Sequence, residues 1–88
     1  MGKFVVSYDV PEGGDYTELY ELLKRLKAVR ALKSTVLIAY GGTAGKLFQE
    51  LAGAAPAKTK LLITPHSQGD DWEATADLGD ACSSWLNT

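Results

Sequence analysis

The chain begins with alternating side chains that are typical of a β-strand over residues 3–10. Phe4, Val6 and Tyr8 fall on one face of this strand, and the residues between them fall on the other. Most of these side chains are β-branched or aromatic, which central strands favour. Proline and glycine in residues 11–14 predict a turn that ends the strand.

The next segment has the period of an amphipathic helix. A start at Asp15 is indicated by Glu18 three residues later, which is the spacing of a capping box. Acidic side chains come early and basic ones late, an order that complements the helix dipole. The predicted apolar stripe consists of Leu19, Leu22, Leu23 and Leu26.

The middle of the chain predicts a hairpin, a helix and a strand. Residues 29–32 and 35–40 have strand character and are separated only by Lys33 and Ser34, so a tight turn is expected, with one long bent strand as the alternative. Thr43 is the predicted N-cap of a second helix that reaches about residue 52. Its apolar positions include Ala44, Leu47, Phe48 and Leu51. A last strand over residues 60–64 is expected to end at Pro65.

The order of these elements predicts the fold class. A β-α-β-β-α-β order over residues 1–88 indicates a single α+β domain, a ferredoxin-like sandwich whose four-stranded antiparallel sheet carries both helices on one face. Residues 66–88 form a C-terminal extension with a short helix over residues 80–86. We expect this tail, or a partner chain, to cover the opposite face of the sheet, with dimer exchange of the tail as one arrangement.

Composition restricts the classes of protein that the chain can belong to. Its 88 residues carry a net charge of −2, which counts against binding nucleic acid by phosphate neutralisation alone but allows a local basic patch. Cys82 is the only cysteine, so no internal disulfide forms. No apolar run resembles a signal peptide or a membrane span, so a cytoplasmic protein away from membranes is expected. Because so small a domain gains from oligomerisation, we expect a homodimer.

Asp9 is the leading candidate for chemistry, because it ends the first strand just before a glycine-rich turn. A carboxylate held there is able to ligate Mg²⁺, above all when a two-fold axis brings a second copy close. Ser7 and Tyr8 would line such a catalytic site. The alternative is structural, with the carboxylate capping the following turn by accepting backbone N–H bonds.

One basic cluster is the candidate nucleic-acid-binding surface. It consists of Lys24, Arg25, Lys27, Arg30 and Lys33. The structural alternative is a solvated helix end followed by a strand edge, where lysine also deters edge pairing. The glycine-rich segment at residues 41–46 lacks the spacing of a phosphate-binding loop, so no nucleotide or organic cofactor is expected.

Three further residues have two interpretations each. His66, the only histidine, is interpreted as a loop residue, with a base or ligand role as the alternative. Trp72 and Trp85 are interpreted as packing anchors for the tail or as central contacts of a dimer interface.

Several short motifs carry a family resemblance over nearly the whole chain. They are Val-Val-Ser-Tyr-Asp-Val at residues 5–10, Pro-x-x-Gly-Asp-Tyr-x-x-Leu-Tyr at 11–20, Leu-Lys-Ser-Thr-Val-Leu-Ile at 32–38, Lys-Leu-Leu-Ile at 60–63, Asp-Trp at 71–72 and Trp-Leu at 85–86. This pattern resembles the SinR-like family of small proteins, which is similar to the second CRISPR-associated protein and to virulence-associated protein D. The resemblance implies a ferredoxin-like dimer in which Asp9 faces its symmetry mate and takes part in metal-dependent nucleic-acid cleavage. The chain departs from those nucleases by carrying acidic rather than basic residues soon after Asp9.

Two functional hypotheses follow. The first is a dimeric, metal-dependent nuclease-like protein, acting on RNA or DNA, in which paired Asp9 carboxylates hold Mg²⁺. The second is a non-catalytic dimeric binding or assembly module on the same scaffold. The acidic balance favours the second hypothesis, and so does the lack of a second acid in residues 34–37, where the CRISPR relatives carry a glutamate.

Overall fold

Seven helices and strands make up the part of the chain that the computed structural model describes, residues 2–73 and 79–87. They are β1 (Gly2–Asp9), α1 (Thr17–Arg25), β2 (Val29–Leu32), β3 (Thr35–Tyr40), α2 (Ala44–Ala54), β4 (Lys60–His66) and α3 (Asp80–Asn87). The hairpin forms with its turn at Lys33 and Ser34, so the alternative of one long bent strand is wrong. None of the helices in these residues has the length and apolar character needed to cross a membrane.

The four strands form one antiparallel sheet in the order β2-β3-β1-β4. β1 and β2 run in the same direction with β3 between them, and α1 connects them. β3 and β4 likewise run in the same direction with β1 between them, and α2 connects them. The predicted α+β class with a four-stranded antiparallel sheet is therefore confirmed.

α1 and α2 cover one face of the sheet, and the main core lies beneath them. Its buried residues are Phe4, Val6, Tyr8, Val10, Leu19, Leu22, Leu23, Val36, Ile38, Leu47 and Leu51. Thr43 begins α2 as predicted, and its Oγ1 accepts a hydrogen bond from the Lys46 N–H at 3.1 Å. Phe48 is 47% exposed although the helical period grouped it with the core. Since each residue turns about 100° around a helix, Phe48 lies beside the stripe of Leu47 and Leu51 rather than on it.

α3 covers part of the opposite face of the sheet. Leu37, Cys82 and Leu86 are buried there, and Trp72 and Trp85 pack against them. The tail of the same chain therefore supplies the cover that was expected from either the tail or a partner.

Two element boundaries differ from the predicted ones. The N-cap of α1 is Tyr16 and not Asp15, whose carboxylate accepts a hydrogen bond from the Thr17 N–H at 2.9 Å. That bond holds the pKa of Asp15 below its ordinary value. β4 continues through Pro65 to His66, because an edge strand tolerates a residue without an N–H. The interpretation of His66 as a loop residue is therefore wrong.

Candidate functional site

The part of the second sheet face that α3 leaves exposed lies over the adjacent strands β1 and β4. Ser7 pairs there with Leu62, and Asp9 pairs with Lys60. Leu62 is 63% exposed, Asp9 and Lys60 are also exposed, and Ser7 is partly buried. We call these four residues the exposed strip. It combines one apolar side chain with one charge of each sign.

Asp9 lies at the end of β1, just before the turn at residues 11–14. The Gly14 N–H donates to the Pro11 carbonyl at 3.0 Å, and Gly13 has a φ of +82°, which glycine adopts without a Cβ clash. Within residues 2–73 and 79–87 the Asp9 carboxylate accepts no hydrogen bond. The turn is therefore closed by its own backbone, and the Asp9 side chain remains open to solvent.

Ser7 and Tyr8, the other two candidate catalytic residues, project to opposite faces of β1. Ser7 shares the exposed strip with Asp9, and its Oγ lies 3.1 Å from Thr35 Oγ1. The Tyr8 side chain is only 5% exposed and belongs to the main core. A cavity of about 240 Å³ is lined by Ser7, Tyr8, Asp9 and residues 60–62. The structure thus brings Ser7 and Asp9 together, while the Tyr8 ring points away from them.

Metal binding at Asp9 depends on how many oxygen ligands the site offers. In the described part of the chain, no group of three or more His, Cys, Asp or Glu side chains is placed to hold an ion. Mg²⁺ prefers octahedral oxygen coordination and is usually held by one or two carboxylates together with phosphate and water. One chain supplies one carboxylate at the exposed strip, so the residues fit Mg²⁺ only when a second copy or a substrate phosphate adds ligands.

The predicted basic cluster lies at the C-terminal end of α1, along the edge strand β2 and in the hairpin turn. Of the nine Lys and Arg residues in the chain, those within residues 22–49 are Lys24, Arg25, Lys27, Arg30, Lys33 and Lys46. All eleven Asp and Glu residues lie outside that range. Residues 22–49, which we call the basic segment, therefore carry only positive side-chain charges.

Arg30 is held in place by the residues around it. Its Nη1 donates to Tyr8 Oη at 2.6 Å and to the Lys33 carbonyl at 2.7 Å. Its guanidinium carbon lies 5.4 Å from the centre of the Tyr20 ring, within the range of a cation–π contact. Burial raises the pKa of Tyr8 above its ordinary value, and the neighbouring Arg30 offsets part of that rise.

Tyr20 also lies beside a second small cavity and packs against a second tyrosine at an inclined angle. This cavity measures about 230 Å³ and is lined by Tyr20, Leu23, Lys24, Ala28, Arg30 and Val36. The ring centres of Tyr16 and Tyr20 are 5.1 Å apart. Neither tyrosine was among the site residues predicted from the sequence. The signal was the spacing of four residues that places Tyr16, Tyr20 and Lys24 on one side of α1.

Trp72 and Trp85, the candidate interface residues, pack within their own chain. Trp85 stacks on His66 with ring centres 5.8 Å apart. Lys3 Nζ lies over the Trp85 ring, 4.8 Å from its centre. His66 Nε2 donates to the Leu86 carbonyl at 2.9 Å, since a carbonyl only accepts. Trp72 Nε1 donates to Asn87 Oδ1 at 3.1 Å. These contacts agree with a role as packing anchors, and a dimer-interface role stays a prediction.

Comparison with protein-family models, with curated proteins and with solved structures finds no match to this chain. The resemblance to the SinR-like family therefore stays a prediction from short sequence motifs. The structure presents two exposed features that are able to bind a partner, the strip around Asp9 and the cations of the basic segment.

Proposed function

We propose that this chain forms a homodimer of ferredoxin-like fold that associates with nucleic acid through its basic segment. The observation that carries the proposal is the separation of charge, since residues 22–49 hold six cations and no carboxylate in a chain of net charge −2. A polyanion responds to the local field around such a group of cations rather than to the net charge of the protein. At one end of the segment, Glu18, Glu21 and Glu50 line a cavity together with Arg25. Binding then neutralises phosphates through Lys and Arg side chains.

The order of strands supports the ferredoxin-like part of the proposal. Two connections of the β-α-β type place α1 and α2 on one face, and each has one antiparallel strand between its two parallel strands. This interleaving of two β-α-β units is the split arrangement of the ferredoxin-like class. A fold alone assigns no function, so the proposal depends on the surface.

The exposed strip supports the homodimer. Leu62 presents an isolated apolar side chain, and β4 is an edge strand with one unpaired side. A two-fold axis over the strip covers Leu62 and sets Asp9 of each copy opposite Lys60 of the other. Interfaces related by such an axis are self-complementary, and a strip with one charge of each sign meets that condition.

Light scattering and sedimentation equilibrium test the homodimer. Leu62→Glu is expected to convert a dimer to a monomer, because it buries a charge in the centre of the interface. Leu32→Glu is the matched control, since Leu32 is 56% exposed on β2, the edge strand on the opposite side of the sheet. A wild-type chain that stays monomeric at high concentration contradicts the homodimer, and equal weakening by both variants contradicts this interface.

Fluorescence anisotropy with labelled oligonucleotides tests association with nucleic acid. Lys27→Gln is expected to weaken binding and to reduce the slope of log affinity against log salt by about 0.7–0.9 for each phosphate that the variant no longer neutralises. Lys58→Gln is the matched control outside the basic segment, because both lysines are exposed and have left-handed backbone, with φ of 56° and 68°. Absence of binding by the wild-type chain contradicts the proposal.

A metal-dependent nuclease is the second candidate function, and the exposure of Asp9 at a strand end favours it. In that arrangement the two Asp9 carboxylates of the dimer hold Mg²⁺, with Ser7 beside them. The ion would stabilise negative charge that develops on a phosphodiester. The nuclease dimer places Asp9 of one copy opposite Asp9 of the other, whereas the binding-module dimer places Asp9 of one copy opposite Lys60 of the other.

Asp9→Asn separates the two functions in a cleavage assay with RNA and DNA in the presence of Mg²⁺. A nuclease loses activity in this variant and on removal of Mg²⁺ by a chelator, whereas Asp15→Asn keeps activity as an equally exposed control. Cleavage by Asp9→Asn at the wild-type rate contradicts the catalytic role. A binding module keeps its oligonucleotide affinity in both variants and leaves the substrate intact.

A further inference from the structure

We propose that Tyr16, Tyr20, Lys24 and Arg30 form a binding site for single-stranded nucleic acid. An unpaired base stacks on Tyr20, and the adjoining phosphates contact Lys24 and Arg30. The inference rests on the proposed association with nucleic acid, and it adds the type of strand and the side chains that recognise it. Neither ring belongs to the main core.

The two tyrosines form an aromatic step on α1 that is open to solvent. Tyr16 is 38% exposed and Tyr20 is 44% exposed, and their ring planes are inclined by 41°. Large aromatic side chains stabilise a protein mainly when they are buried, so two neighbouring exposed rings contribute little to the core. Exposed rings next to cations are the usual platform on which single-stranded nucleic acid stacks.

Arg30 is preorganised to receive an anion next to this platform. Both hydrogen bonds that position it use Nη1, and within the described residues Nη2 and Nε have no acceptor. The remaining donors of the guanidinium are therefore able to bind a phosphate in a bidentate manner. Since the side chain is already held against Tyr20, little conformational entropy is lost when the phosphate binds.

The size and charge of the adjoining cavity agree with a phosphate and its sugar. At about 230 Å³ it is smaller than a typical site for a whole small-molecule ligand. Lys24 and Arg30 supply its two positive charges, whereas Leu23, Ala28 and Val36 form its apolar floor. We expect a backbone phosphate to lie between the cations while the base remains outside, on the part of the Tyr20 ring that Tyr16 and Arg30 leave exposed.

The stacking requirement selects single strands over duplexes. In a duplex both faces of each base are covered by neighbouring base pairs, so Tyr20 reaches no free face without unstacking. In a single strand every base offers a π-face, and the site is therefore expected to tolerate any sequence.

The test compares Tyr20→Leu with Tyr20→Phe in the full-length chain. Leu removes the aromatic face and Phe keeps it, and both variants lack the Tyr20 hydroxyl, so the ring is the difference between them. With a labelled single strand of about 12 nucleotides, Tyr20→Leu is expected to lose about tenfold in affinity and Tyr20→Phe less than about twofold. The wild-type chain is expected to bind this strand more tightly than the duplex of the same sequence at the same salt concentration.

The outcomes separate this site from the wider proposal. If the wild-type chain binds single strand and duplex equally and Tyr20→Leu binds as well as wild type, the stacking site is wrong while association through the basic segment survives. If the wild-type chain binds neither, the proposed function itself is wrong. Circular dichroism melting of each variant checks that a loss of affinity does not come from unfolding.

Discussion

The two faces of the sheet are covered in different ways. α1 and α2 close one face, and the β1 side chains that point at them, Phe4, Val6 and Tyr8, are at most 6% exposed. The other face is covered only in part by α3, and the strip around Leu62 remains open. α1 and α2 each connect two strands of the sheet, whereas α3 follows the last strand. One face is therefore closed by helices of the connections, and the other keeps an exposed strip.

The largest expected effect comes from the face that the helices close. Leu51→Ala is expected to lower the free energy of unfolding by about 2–5 kcal/mol, because Leu51 is fully buried and shortening its side chain leaves a cavity in the main core. Urea denaturation followed by circular dichroism measures the change. A larger loss from Leu86→Ala, on the buried side of α3, would reverse the comparison between the two faces.

The tail-covered face is expected to respond more weakly and more locally. Trp85→Ala removes the stacking on His66 and the contact with Lys3, and a loss of about 2 kcal/mol is expected from the apolar area uncovered. Hydrogen exchange should show that amides in α3 lose protection while those in β1 and β3 keep most of theirs. Uniform loss of protection across the sheet would indicate that both faces unfold as one unit.

A smaller effect of the opposite sign is expected at the end of α1. Lys27 has a φ of 56°, its N–H donates to the Lys24 carbonyl, and the Ala28 N–H donates to the Leu23 carbonyl. This Schellman arrangement favours glycine at the left-handed position. Lys27→Gly is expected to raise the free energy of unfolding by about 1 kcal/mol.

Lys24→Gly provides the control for the change at Lys27. Lys24 lies in the right-handed part of α1, so glycine there is expected to lower the stability by about 1 kcal/mol. Urea denaturation of both variants distinguishes the two backbone conformations. Changes of the same sign in both variants would contradict the assignment of strain to Lys27.

The smallest effect is expected in the alkaline range and depends on Tyr8. Because the pKa of Tyr8 is raised in the folded chain, the unfolded chain loses its phenol proton first, and stability falls as the pH rises above the ordinary tyrosine value of about 10. Tyr8→Phe removes this contribution, so its stability should decline less steeply than that of wild type between about pH 9 and 11.

Below that range Tyr8→Phe is expected to lower the free energy of unfolding by about 1 kcal/mol, since Arg30 loses an acceptor. Absorbance of ionised tyrosine during a pH titration follows the same group. Tyr40 also has a raised pKa, because its hydroxyl donates to the Glu50 carboxylate. The titration of Tyr8→Phe should therefore lose the ionisation of Tyr8 at high pH and keep that of Tyr40. An unchanged titration curve would place Tyr8 outside the core.

Much of the local structure was predictable because it depends on neighbours in the chain. The hairpin strands at residues 29–32 and 35–40, the Thr43 cap and the short terminal helix all lie where the pattern placed them. The start of α1 was not predictable. Asp15 and Tyr16 both suit the first turn, and only the structure shows that the Asp15 carboxylate accepts a hydrogen bond from the Thr17 N–H. The continuation of β4 to His66 was also missed, because a proline inside an edge strand resembles a strand end.

The candidate sites were also predictable from the sequence only in part. The candidate catalytic set took Tyr8 from its position beside Asp9 in the chain, although alternation along β1 places the Tyr8 side chain on the face opposite Asp9 and Ser7. Charge counting was enough to find the basic residues. The contact between Tyr8, Tyr20 and Arg30 was not predictable, because these residues belong to β1, α1 and β2. Stacking of Trp85 on His66 joins positions 19 residues apart and depends on where α3 settles on the sheet.

By itself, the sequence determined which segments are helices and strands and which of their faces are apolar, because both depend on side-chain periodicity over a few residues. Only the tertiary structure decided that β1 lies between β3 and β4, that α3 leaves Asp9 and Leu62 exposed, and that Arg30 is held beside Tyr20. Those arrangements depend on contacts between residues far apart in the chain, and periodicity carries no information about which elements meet.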